Sequence, residues 1–110
     1  MTLPKLQVFL IVAADEPALF FSSAEAAEQY LEPIDVEGRV YGPSYGTAGE
    51  PYQIAVERGR VVVRLDNAKA AQPDELKALL LRFLAGIGVS VSTDEDLPTL
   101  LIRCTAHITC

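Results

Sequence analysis

The sequence predicts an α+β fold: a single domain over residues 1–110 in which a mainly antiparallel sheet of about five strands packs against about three helices. Three observations carry that expectation. Residues 6–13 form a nearly continuous apolar run rich in Val, Ile and Phe; residues 52–66 alternate apolar and polar side chains about Arg58-Gly59; and residues 73–87 repeat apolar side chains at helical spacing. At 110 residues the chain suits one core and is too short for two well-packed ones. Its hydrophobic fraction of 50% and charged fraction of 22% are globular and exclude a disordered tail protein.

The run 6–13, LQVFLIVA, is bounded by Pro4 and by Asp15-Glu16-Pro17 and predicts a strand covered on both faces, near the centre of the sheet. It does not read as a secretion signal, because only Lys5 precedes it, Gln7 interrupts it, and acidic residues stand where a cleavage site belongs. Residues 18–21 return as a second, antiparallel strand. Ser22 and Glu25 have capping-box spacing, with Ser23 an equally good N-cap, so a short helix follows. Ala27, Tyr30 and Leu31 form its apolar stripe and Glu25, Glu28 and Glu32 its other side. Pro33 is expected to end that helix and send the chain into a strand at 36–42.

Pro43, Gly46 and Gly49 mark residues 43–49 as a loop. Tyr52, Ile54 and Val56, then Val61, Val63 and Leu65, make the best hairpin in the chain, turning at Arg58-Gly59. Pro73 opens the strongest helix, with Asp74 and Glu75 at its positive end. Leu76, Leu79, Leu80, Phe83, Leu84 and Ile87 must be buried, and Gly86 and Gly88 suit a left-handed stop. The last segment predicts a helix over about 95–108, capped by Thr93 or Asp94, on the spacing of Leu97, Leu100, Leu101, Cys104 and Ile108.

Fifteen carboxylates against nine Lys and Arg give a formal charge of −6, so neither nucleic acid nor an anionic membrane is expected as a direct ligand. No run approaches the roughly 20 apolar residues of a membrane span. With only Cys104 and Cys110, there is no disulfide framework, and the expected compartment is the cytoplasm. Cys104, His107 and Cys110 follow C-x-x-H-x-x-C, but a structural zinc site needs a fourth ligand that the chain lacks. Neither a metal nor a cofactor is therefore expected, and Cys104 reads as a core residue. The glycine loop at 42–49 has no lysine and opens no helix, so it is not a phosphate cradle. No nucleophile, base and oxyanion donor are grouped anywhere, and the expected protein is not an enzyme.

What remains is charge. Glu25, Glu28, Glu32, Asp35 and Glu37 fall within thirteen residues, a field that would steer a basic protein partner, with Tyr41 and Tyr45 as candidate apolar anchors. Solvated helix faces and ordinary core tyrosines account for the same residues without a partner.

Residues 20–41, FFSSAEAAEQYLEPIDVEGRVY, resemble a recurring phrase of small bacterial immunity proteins encoded with polymorphic or type VI secreted toxins. The resemblance rests on Phe21, Ser23, Glu25, Ala26, Glu28, Tyr30, Leu31, Glu32, Ile34, Asp35, Val36, Glu37 and Gly38, after a short N-terminal strand, and extends over about residues 6–66. It implies a non-enzymatic inhibitor that binds a cognate toxin in the producing cell and neutralises it by stoichiometric occlusion, with the acidic residues matched to a basic toxin surface. A small regulatory or adaptor domain that binds a housekeeping protein uses the same acidic helix and is the alternative reading.

Overall fold

The computed structural model of the chain describes residues 8–14 and 18–105. In chain order the elements are β1 (Leu10–Ala13), β2 (Ala18–Phe21), α1 (Ala24–Tyr30), α2 (Pro33–Glu37), β3 (Ser44–Gly46), β4 (Pro51–Glu57), β5 (Arg60–Leu65), α3 (Pro73–Gly86) and α4 (Leu97–Thr105). The five strands make one sheet of order β2-β1-β3-β4-β5, antiparallel at every pairing. The α+β fold expected from the sequence is the one observed.

The sheet is the middle of three layers. Leu10, Ile11 and Val12 of β1 have no solvent exposure at all, and because side chains alternate across a strand, each face needs its own cover. Leu10 and Val12 face a cluster with Phe21, Ala27, Leu31, Val61 and Val63, closed by α1 and α2. Ile11 faces the other way, onto Ala18, Tyr45, the leucines of α3, and Leu100 and Cys104 of α4. The strand register enforces this sorting: Leu10 lies opposite Phe21 and Val12 opposite Leu19, whereas Ile11 lies opposite Phe20 and Tyr45. An edge-to-face contact of Phe20 and Phe83, with centroids 4.9 Å apart, ties β2 to α3.

Local chemistry explains most element ends. Ser23, extended at φ −160°, accepts from Ala26 N–H at 3.0 Å and caps α1, so the cap is the second serine and not the capping-box one. The β4–β5 hairpin turns on two residues, Arg58 and Gly59, both with positive φ (54° and 76°), the twist that fits flanking strands. After α3, Gly88 takes φ 81°, with Val89 N–H donating to the Leu84 carbonyl and Gly88 N–H to that of Ala85. Asp96, rather than Thr93 or Asp94, starts α4: its carboxylate accepts from Thr99 N–H at 3.0 Å.

Four sequence expectations are corrected. Residues 36–42 are not a strand, because Pro33 sits at the first position of a new helix, α2, where its missing N–H costs nothing. The third strand lies instead at Ser44–Gly46, inside the expected loop, where β1 supplies its partners. Tyr30 is 63% exposed rather than buried, since α1 ends at that residue, where its ring meets that of Phe21. At the end of α3, Ile87 is 43% exposed, because it is already the C-cap. Along β1 the strand covers Leu10–Ala13 of the expected 6–13, and residues 6 and 7, like 106–108 of the expected last helix, lie outside the described residues.

The connection from β3 to β4 is pinned to α3. Gly49 adopts φ 86°, its carbonyl accepts from Gln72 N–H at 2.7 Å, and a Cβ placed there would meet the Pro73 backbone at 2.5–2.6 Å. Gly49→Ala is therefore expected to cost about 2–4 kcal/mol, combining a forbidden φ with overpacking against backbone. Gly59→Ala, where nothing lies within 4 Å, is expected to cost only about 1 kcal/mol. Urea unfolding of the two variants beside the parent measures the difference, and equal losses would dismiss the Gly49–Pro73 contact as a constraint.

Candidate functional site

Helix α1 lies over the sheet near its β5 edge, and the way it is seated divides the acidic residues. Ala27 and Leu31 are buried against the sheet, while Glu25 and Glu32 face solvent. Glu28, between them, is half-buried and its Oε2 accepts from the backbone N–H of Val63 at 2.8 Å. Because β5 is the last strand, that N–H has no neighbouring strand to donate to, and the carboxylate takes a strand's place. Between helix and strand runs an open groove of about 510 Å³, walled by Glu25, Glu28, Leu31 and Glu32 on one side and Arg60 and Val61 on the other. Among the described residues its walls carry three carboxylates and one guanidinium but no hydroxyl, thiol or imidazole. Such a groove attracts cations.

The remaining expected site residues lie elsewhere. Asp35 is half-buried and Glu37 exposed on α2, and neither lines the groove. Tyr41 is half-buried and lines a separate hollow of about 290 Å³ where the α2–β3 connection crosses β4. Tyr45 is not an exposed anchor. It is 5% exposed on the opposite face of the sheet, and its hydroxyl donates to Glu75 Oε1 at 2.8 Å, joining β3 to the first turn of α3. Burial, reinforced by that hydrogen bond and by the Glu75 charge, pushes the phenol up to about 12.

Cys104 is fully buried among α3 and α4 side chains, and burial pushes its thiol up to about 12, so it is an inert core residue. His107 and Cys110 lie outside the described residues. Among the described residues, no three His, Cys, Asp or Glu side chains are grouped to hold a metal ion, and no helix is long and apolar enough to cross a membrane. The acidic residues before α4 have local work. Glu95 pairs with Arg103, which holds its carboxyl below the usual range, and Asp96 is held low by its hydrogen bonds with Thr99. Glu57 and Arg64 form a two-bond ion pair at 2.6 and 2.8 Å on the solvent face of the hairpin.

Three surface residues were not visible as such from the sequence. Tyr30 and Ile34 are 63% and 73% exposed, large apolar side chains set between carboxylates in the chain. Arg39 takes φ 59°, one residue beyond Gly38, so that a cationic side chain occupies the left-handed position that usually falls to glycine, at a cost of about 1 kcal/mol. The signal for all three was Pro33, followed by Asp35 as Pro73 is by Asp74: read as a helix start, it predicts α2, its stop near Gly38 and the turn that carries Arg39.

Comparison of the chain with protein-family models, with curated proteins and with solved structures gives no significant match.

Two outcomes test the geometry. Glu28→Ala is expected to lower stability by about 1–3 kcal/mol by leaving the Val63 N–H unpartnered, with faster hydrogen exchange at that amide. Glu25→Ala and Glu32→Ala should stay within about 0.5 kcal/mol. A Val63 amide indifferent to Glu28 would rule out the edge contact. The second concerns alkaline pH. Tyr45 binds its proton more tightly folded, at about 12, than at its ordinary value of 10.0, so its contribution is whole below pH 10 and is lost as pH rises towards 12. Between those limits the parent should lose stability on the order of 2 kcal/mol more than Tyr45→Phe does, measured by denaturant unfolding at each pH.

Proposed function

We propose that the protein is an immunity protein, which binds a cognate bacterial toxin in the cytoplasm of the producing cell and neutralises it by covering its active site or substrate entrance. The observation that carries this reading is the surface of α1 and α2, where Tyr30 and Ile34 stand exposed in the same stretch as the solvent-facing Glu25, Glu32 and Glu37. Apolar side chains with a charged surround are the composition of a protein-binding patch, in which a few large anchors supply affinity and the charges supply steering. The same stretch is the one that resembles the immunity-protein phrase. Carboxylates there favour a toxin with a basic surface, as enzymes that act on phosphate-bearing substrates commonly have at their binding clefts.

Occlusion requires no chemistry from the inhibitor. It requires a surface that arrives quickly and leaves slowly, and the two needs fall on different residues: charge raises the association rate, and desolvated apolar contact lowers the dissociation rate. On this reading Glu25 and Glu32 act mainly in encounter and Tyr30 and Ile34 in residence. Glu28, committed to Val63, holds the helix in place.

The test pairs the protein with the product of the reading frame immediately upstream. The two should co-purify in a fixed ratio, and the double variant Glu25→Lys/Glu32→Lys should slow association by roughly tenfold or more at low salt, with the difference shrinking as salt is added. Tyr30→Ala and Ile34→Ala should instead speed dissociation. Failure of the two proteins to associate refutes the reading. Association that none of these substitutions alters removes α1 and α2 from the interface.

A further inference from the structure

We propose that Phe21 is the positioning residue of the α1–α2 surface: its ring holds Tyr30 outward as a preset knob, which fits a partner offering a recess for one phenol ring with Lys or Arg at its rim. The inference rests on reading that surface as the one the toxin meets, and it names what the toxin must present there.

The chain of contacts starts in the core. Leu10 of β1 is fully enclosed and lies opposite Phe21 of β2, and Phe21, at 8% exposed, belongs to the same buried cluster. The Tyr30 ring rests against that of Phe21, with centroids 5.5 Å apart and planes tilted by 56°, a separation at which aromatic rings attract. The backbone of Tyr30 is held as well: Ala27 and Leu31 on either side of it are buried, and Leu31 N–H donates to the Ala27 carbonyl at 2.9 Å. Tyr30 is nevertheless 63% exposed. A side chain in water ordinarily samples several rotamers, and ordering one at an interface costs about two- to tenfold in affinity. For Tyr30 that ordering is already present in the folded chain. Tyrosine offers a large contact area for only two torsions, and a protruding apolar ring sheds its water only in a concave complement. Glu25 and Glu32, exposed in the same stretch, match a basic rim around that recess and repel an acidic one.

The experiment has one arm without the toxin and one with it. In the free full chain, NMR three-bond couplings and ring-to-ring NOEs should show a single χ1 rotamer of Tyr30 against Phe21. Phe21→Leu, which keeps an apolar side chain in the core, should release Tyr30 to rotamer averaging while the amide spectrum stays that of a folded chain. The parent's couplings need no variant and decide the point even if Phe21→Leu does not fold. Against the product of the upstream reading frame, Tyr30→Ala should bind roughly thirtyfold more weakly and Tyr30→Phe within about threefold of the parent. Phe21→Leu should weaken binding about three- to tenfold, and adding it to Tyr30→Ala should cost nothing further, a coupling that a merely structural Phe21 would not show. A parent Tyr30 averaged among rotamers, independent losses from Phe21→Leu and Tyr30→Ala, or a Tyr30→Ala loss of less than about threefold would each overturn the inference and leave the toxin reading in place. Absence of any association ends both.

Discussion

The enclosure of β1 on both faces is the constraint from which the rest of the architecture follows. Three consecutive residues, Leu10, Ile11 and Val12, lose all contact with water, and each such side chain contributes about 1.5–3 kcal/mol when fully buried. Alternation sends them to opposite faces, so one helical layer is not enough. The chain answers by placing α1 and α2 immediately after the first hairpin and α3 and α4 after the last. The α1–α2 passage also carries the chain past β1, so that β3 pairs on its free side and puts β1 between two strands as well as between two helical layers. The α3–α4 pair covers β1, β2 and Tyr45 of β3 but not the hairpin, whose outward residues Gln53, Ala55, Glu57, Arg60 and Arg64 remain exposed. One strand is thus fully interior and the far edge is half-solvated, which is how an antiparallel sheet tolerates a core smaller than itself.

That uneven cover explains why α1 behaves as more than packing. A seven-residue helix is too short to persist alone, and a five-residue one shorter still, so both are held by what they touch. For α1 the contacts are Ala27 and Leu31 in the core and Glu28 on the last strand's backbone. The glutamate serves two purposes there. It satisfies an N–H that would otherwise be offered to any passing strand, and it leaves a negative charge at the sheet edge, both recognised defences against edge-to-edge association. An acidic helix face that reads as one feature in the sequence is therefore two: a carboxylate used by the fold and flanking carboxylates available to solvent.

How far the sequence revealed this depended on whether a signal was local. The interior strand, the Arg58-Gly59 hairpin and the leucine stripe of α3 each carry a local signal: the hairpin and the leucines of α3 appear where expected, and the strand appears over Leu10–Ala13 of the expected 6–13. The region from Pro33 to Gly49 does not. There the same proline that stops one helix starts another, and β3 is a three-residue strand, Ser-Tyr-Gly, too short for any period and specified by the partners it finds in β1 and β4. The site was legible to the same degree. Composition and spacing located the acidic stretch, but only tertiary contacts could show that Glu28 faces a backbone amide, that Tyr45 points into the opposite layer towards Glu75, and that Tyr30 and Ile34 are left outside.

The two layers also differ in what they can be used for. On the α3–α4 side, a fourteen-residue helix packs four fully enclosed leucines, and its polar link to the sheet, Tyr45 to Glu75, is shielded enough to hold the phenol proton well above its ordinary range. That side's exposed large apolar side chains are Ile87 at the end of α3 and Ile102 on α4. On the α1–α2 side, the helices are short, large apolar side chains remain uncovered, and an arginine is kept in a conformation that glycine would adopt more cheaply. The longest helix with its enclosed leucines and the two shortest helices thus lie on opposite faces of one sheet. Sites that must exchange contacts with a partner are drawn from the least stable parts of a fold, and a rigid layer behind them is what allows that. The doubly covered strand joins the two: through alternate residues of β1 the well-packed layer fixes the sheet against which the adaptable layer rests.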